Sequence, residues 1–187
     1  MVRTDALENR ARILDVAYRA FAEDPDVSLN AIATRAGVGA GTLYRNFPTR
    51  EDLLLAVYRE ELDSLVASVD GLLARQPPLE AFRTWVRELA AQMRVKHGLG
   101  EALASPEAQA AIDAQYAPVT SAIGRLLDAA AARDEVRAGI EPSDVLLLIG
   151  ALWRVPSGQQ GLAQADRMLE TILDGLGAGG VQQRLAE

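Results

Sequence analysis

The chain has 187 residues, of which 49% are apolar and 24% charged, and a formal net charge of −7. It lacks Cys and has one His, His97, which excludes a disulfide scaffold, a thiolate metal site and a cysteine nucleophile, and leaves any Ser–His–Asp triad a single imidazole. The length and apolar content suit one large domain, or a small one joined to a medium one, and exclude wholesale disorder; an aromatic share of 5% argues against a β-sandwich.

Apolar positions recur at helical spacing in nearly every segment, and none alternates as a strand does. The first predicted helix runs from about Thr4 to Ala22, with Ile13, Leu14, Ala17, Ala20 and Phe21 on one face, and Glu23-Asp24-Pro25-Asp26 ends it. Ser28 stands as an N-cap for a short helix to Ala36, and Gly37 sits where a C′ glycine belongs. A third short helix covers Ala40 to Phe47 and stops at Pro48.

Thr49 and Asp52 form a capping-box pattern ahead of a long helix to about Ala74. Pro77-Pro78 separates it from a fifth helix with Phe82, Trp85, Val86, Leu89 and Met93 in one stripe, and His97-Gly98-Leu99-Gly100 is a break. Ser105-Pro106 opens another helix, and Pro118–Ala132 a further one. Asp134-Glu135 reads as a solvated loop. Pro142–Arg154 is apolar almost all round in Val145–Ile149, which calls for burial on several sides. Gln164–Leu176 has Met168, Leu169, Ile172 and Leu173 on one face, and a small-residue tail follows. The expectation is an all-α chain of about nine helices. Val145–Ile149, an unbroken run of five apolar residues, is far short of the roughly 18 residues of a membrane span. With no secretory pattern at the N-terminus, a cytoplasmic location without membrane contact is expected.

Charge is unevenly placed. Residues 1–50 carry seven Arg and six acids, a net of +1, whereas residues 51–187 carry a net of −8. Val27–Arg50 holds three Arg and no acid, the local balance that a phosphate-facing surface needs. The same window is two short helices joined by a tight glycine turn, a helix-turn-helix pattern whose second helix would enter a major groove. That helix begins Gly39-Ala40-Gly41-Thr42, small residues that permit close approach of backbone to DNA. Thr42 offers a hydroxyl and a methyl, Tyr44 a phenol, and Arg45 and Asn46 multidentate polar ends. Leu29, Ile32, Leu43 and Phe47 read as core.

Gly37-Val38-x-x-Gly41-Thr42-Leu43-Tyr44-x-x-Phe47-Pro48-Thr49-Arg50-Glu51-x-Leu53 resembles the signature of the TetR family of bacterial repressors. The resemblance covers residues 10–55, and the helical plan and length are similar to that family's. It departs at Asn46, where members often carry His, and at Arg50, where Lys is usual. Val136–Asp144 with the Leu-rich helix after it and Gly150-Ala151-Leu152-Trp153 is similar to a subgroup with SbtR-like C-terminal domains.

The resemblance implies residues 1–49 as a DNA-binding domain and residues 50–187 as an effector-binding and dimerisation domain. It implies phosphate contacts from Tyr44 and Arg50, and places Asn30, Ala40, Gly41, Thr42 and Arg45 nearest the bases. Ser28, Gly39 and Asn46 complete the DNA-facing set. The implied partners are a double-stranded palindromic operator, a second copy of the chain bound through the last two long helices, and a small-molecule effector that releases a repressor.

Trp85, Met93, Tyr116 and Trp153 read first as core and second as pocket lining. His97 reads as a helix C-terminal residue suited to the dipole, or as a polar contact in an effector pocket. Neither a catalytic constellation nor a metal or cofactor site is expected. The competing class is a helical adaptor that no longer reads DNA, distinguished by a lack of salt-dependent retention on DNA.

Overall fold

The computed structural model describes residues 2–24, 26–97, 110, 113–155 and 158–177. Among these the architecture is all-helical: α1 (Val2–Glu23), α2 (Leu29–Arg35), α3 (Ala40–Asn46), α4 (Arg50–Ala67), α5 (Val69–Arg75), α6 (Pro78–His97), α7 (Tyr116–Ala131), α8 (Pro142–Gly150), a 3₁₀ turn (Ala151–Arg154) and α9 (Gln159–Leu176). The one extended pairing among the described residues is an isolated antiparallel bridge between Val136 and Gly177. No helix among the described residues is long and apolar enough to cross a membrane. The expected break over Gly98–Gly100, the first residues (105–109) of the helix from Ser105 and the tail beyond Gly177 lie outside the described residues.

The chain forms two compact units. One comprises 1–63 with 95–114, and the other 64–94 with 115–187. The first is built on Ile13, Ala17, Phe21, Ile32, Leu43, Phe47, Leu53 and Leu54, all buried and drawn from α1 to α4. Short helices such as α2 and α3 are marginal alone. Burial of their apolar faces and side-chain caps hold them. Ser28 Oγ accepts the Ala31 N–H at 3.2 Å, and Thr49 and Asp52 exchange a reciprocal pair of 3.0 Å bonds, the expected capping box.

In the second unit Phe82, Trp85 and Leu89 of α6, Ile123 and Leu126 of α7, Val145 and Ile149 of α8, and Leu169 and Leu173 of α9 are buried. Arg83 and Arg87 of α6 both pair with Glu170 of α9, the latter at 3.3 Å. The hydrogen bond to Glu170, ahead of the opposing effect of burial, raises the Arg83 pKa.

Four expectations are corrected. The long fourth helix is broken at Ser68, where the Leu65 carbonyl accepts the Trp85 indole N–H at 2.9 Å and the Ser68 hydroxyl at 2.8 Å; side chains inserted at a helix carbonyl break the ladder. The last helix starts at Gln159, five residues before Gln164, because Gly161 and Ala165 bury small faces that carry little hydropathy signal. Glu135 is no solvated loop residue: its carboxylate accepts the Leu79 N–H at the start of α6. Finally, α8 buries Val145, Leu146 and Ile149 but leaves Leu147 70% and Leu148 51% exposed.

Candidate nucleic-acid interface

The turn between α2 and α3 sets the interface. Gly37 has φ +65, its N–H donates to Thr34 O at 3.1 Å, and the Val38 N–H donates to Ala33 O at 3.0 Å. This is the Schellman arrangement, and its left-handed residue favours glycine. The chain therefore reverses within three residues and α3 begins at once, with Gly39 as its extended N-cap residue.

Leu43 is fully buried, so the opposite side of α3 faces out. Gly39, Ala40, Gly41, Tyr44 and Arg45 are exposed, while Thr42 and Asn46 are half-buried. Tyr44 is 44% exposed. Arg45 Nη2 donates to Thr42 Oγ1 at 3.0 Å. Asn46 Nδ2 donates back to the Thr42 carbonyl at 2.8 Å, which ties its amide to the helix. On α2, Ser28 and Asn30 are exposed, and the Asn30 carbonyl accepts the Thr34 hydroxyl at 3.0 Å.

The arginines of the acid-free window differ in their surroundings. Arg35 pairs with Glu23 at 3.1 Å, an acid from outside the window. Arg50 is half-buried, donates to the Val27 carbonyl and lies over the Phe21 ring at 4.9 Å. Arg45 has no ion pair among the described residues. A second cation–π contact, Arg10 over Phe47 at 4.6 Å, braces α1 against the end of α3. Sequence reasoning missed these two contacts, since nothing in local spacing announces a ring more than 20 residues away.

On α1 and α4 the half-buried Tyr18, Tyr58 and Glu61 all titrate high. Burial pushes the Tyr58 phenol up to about 12. Burial first, then Glu60 and Asp15, raises the Glu61 carboxyl. Tyr18 is raised by burial and by Glu61.

Of the expected effector-pocket residues, Trp85 is fully buried with its indole N–H on the Leu65 carbonyl, and Tyr116 at the start of α7 is 47% exposed. Met93 and His97 lie in α6 and Trp153 in the 3₁₀ turn, with side chains outside the described residues.

Comparison with known proteins places this geometry. Residues 13–57 match the family described as bacterial regulatory proteins, tetR family. Residues 77–178 match the C-terminal domain of SbtR-like transcriptional regulators. A TetR transcriptional regulator from Streptomyces coelicolor is 41% identical, covering 89% of this chain and 97% of that one, with a TM-score of 0.75. A second, from Mycobacterium vanbaalenii, is 34% identical over 94% of this chain and 99% of that one, with a TM-score of 0.73. An HTH-type transcriptional regulator of Staphylococcus aureus is 40% identical over 67 residues, 35% of this chain and 36% of that relative's length.

Proposed function

The chain belongs to the TetR family of bacterial regulatory proteins, and from that premise we propose that it is a homodimeric transcriptional repressor that binds a palindromic operator and leaves it when a small-molecule effector binds. The observation that carries the DNA-reading part is the outward face of α3. Gly39, Ala40 and Gly41 expose bare backbone beside Tyr44 and Arg45, in a window without a single acid. Such a surface can lie against a negatively charged groove, and the acid in the rest of the chain does not oppose it locally. Ser28, Asn30, Gly39, Ala40, Gly41, Thr42, Tyr44, Arg45, Asn46 and Arg50 form the proposed contact set. Residues 1–49 are the reading domain and residues 50–187 take the effector and the second copy.

Two-fold pairing of subunits imposes two-fold symmetry on the site. The exposed Leu147, Leu148 and Leu162 of α8 and α9 support pairing through the last two long helices, since a second copy would take them out of water. The effector acts by population shift, favouring a spacing of the two reading heads that does not fit the operator; a few kcal/mol of differential affinity suffices. Helix α4 follows the reading head directly in the chain and is the proposed lever.

The test is selection of bound fragments from random and genomic DNA at about 150 mM salt, a concentration at which weak phosphate-only binding is suppressed, followed by footprinting. A palindrome protected on both halves is expected. The absence of any enriched sequence at this or lower salt, with no salt-dependent retention on DNA, would favour the adaptor reading.

A further inference from the structure

The side chain of Arg45 does not project freely from α3. Its Nη2 donates to Thr42 Oγ1 at 3.0 Å, and a methyl built on Gly41 would stand 3.7 Å from Nη1. Both terminal nitrogens therefore lie over Gly41 and Thr42, one turn back along the helix, in the direction helical side chains take. Around them Gly39, Ala40 and Gly41 are exposed and offer nothing longer than a methyl. The guanidinium is a prearranged fork on an otherwise bare stretch of helix surface. Three other polar side chains of the window already have partners within the chain: Asn46 on the Thr42 carbonyl, Arg35 on Glu23, Arg50 on the Val27 carbonyl.

We propose that Arg45 reads a guanine in the major groove of each half-site and that Thr42 is a positioning residue for that contact. The assignment rests on the DNA-reading function proposed above. A guanidinium has donors only, in a planar fork. Guanine presents two acceptors, O6 and N7, on its major-groove edge, whereas adenine presents one acceptor and one donor that repels the fork. One N–H of Arg45 occupied by Thr42 leaves the others for a bidentate pair. The Thr42 hydroxyl holds the fork in one orientation before DNA arrives, which reduces the rotamer freedom lost on binding.

The experiment uses the full chain. Bound duplexes are selected from random DNA with the unaltered protein and with Arg45→Ala, Thr42→Val and Thr42→Ser, each first checked for an unchanged helical melting curve. The selected operator is then titrated with 7-deazaguanine or inosine at the enriched guanine. Unaltered protein is expected to enrich one guanine per half-site and to lose about tenfold or more in affinity on 7-deazaguanine, which lacks N7. It should ignore inosine, which keeps O6 and N7. Arg45→Ala should lose that guanine preference alone.

Thr42→Val should lower the guanine-to-adenine ratio severalfold and Thr42→Ser restore it. An equal loss on every sequence, with the ratio unchanged, would make Thr42 a direct backbone contact and overturn its positioning role. An Arg45→Ala protein that keeps every guanine preference would overturn the guanine assignment while leaving the DNA-reading function in place. If the unaltered protein enriches no sequence at all, that function fails and this assignment fails with it.

Discussion

Glu135 Oε2 accepts the backbone N–H of Leu79 at 2.8 Å, across 56 positions of chain. Leu79 lies in the first turn of α6, whose N–H groups have no partner within the helix. The carboxylate also sits at the positive end of the helix dipole. The turn after α7 is shaped to deliver it: Asp134 has φ +57 and the Glu135 N–H returns to the Ala130 carbonyl at 3.0 Å. One side chain thus replaces a local N-cap, which Pro77 before α6 cannot supply. Glu135→Ala should cost about 1–2 kcal/mol, as loss of a helix cap does, and Glu135→Gln less because an acceptor oxygen remains. Urea unfolding with an unchanged slope and a lowered midpoint is the expected result.

Arg50 offers a second stability test. Its guanidinium donates to the Val27 carbonyl and covers the Phe21 ring at 4.9 Å, so it ties the start of α4 to α1 and to the loop before α2. An ammonium keeps the charge but not the planar fork or the stacking. Arg50→Lys should lower the stability of the unit by about 1 kcal/mol. A variant as stable as the unaltered protein would show that neither the Val27 nor the Phe21 contact contributes to stability.

What was legible in the sequence was local. Ser28, Gly37, and Thr49 with Asp52 act within three or four residues, so their spacing alone announces caps and turn. The interruption at Ser68 is invisible because Val66, Val69, Leu72 and Leu73 continue a helical period through it, and the cause, the Trp85 indole on the Leu65 carbonyl, comes from another helix. The first turn of α9 reads as loop because Gln159-Gln160-Gly161 carries no apolar signal, although Gly161 is buried. Of the interface, the exposed face of α3 follows from the motif, whereas the lie of Arg45 on Thr42 and the inward turn of Arg50 depend on packing.

Glu61 makes stability depend on pH. Burial, with Glu60 and Asp15, raises its carboxyl pKa above the ordinary 4.5. The folded state therefore holds its proton to higher pH than the unfolded state. As pH rises from the ordinary value through the raised one, the unfolded chain ionises first and stability falls. Glu61→Gln should accordingly raise the melting temperature at pH 7 more than at pH 4. An equal effect at both values would show that the carboxyl titrates normally in the fold.

The exposed leucines should govern assembly. Leu147, Leu148 and Leu162 are 70%, 51% and 45% exposed, and all lie in α8 and α9. A charge placed among them does not disturb the buried Val145, Leu146 and Ile149 on the other side of α8. Leu148→Glu together with Leu162→Glu should yield a folded monomer by sedimentation, with operator affinity reduced because two linked heads bind far more tightly than one. A dimer that survives both changes would place the pairing surface elsewhere.

Tyr44 separates positioning on the backbone from reading of bases. Its ring is 44% exposed on the outward face of α3, next to Arg45 but without the fork that distinguishes bases. A phenol on a phosphate oxygen fixes register and carries no sequence information. Tyr44→Phe should therefore weaken binding by about 1 kcal/mol, roughly fivefold, and by the same factor on operator and on random DNA. Since the phenol is neutral, the slope of affinity against salt should stay as it is, in contrast to loss of an arginine that neutralises a phosphate. Unchanged affinity on both DNAs would remove Tyr44 from the contact set, and a loss confined to the operator would make it a reader of bases.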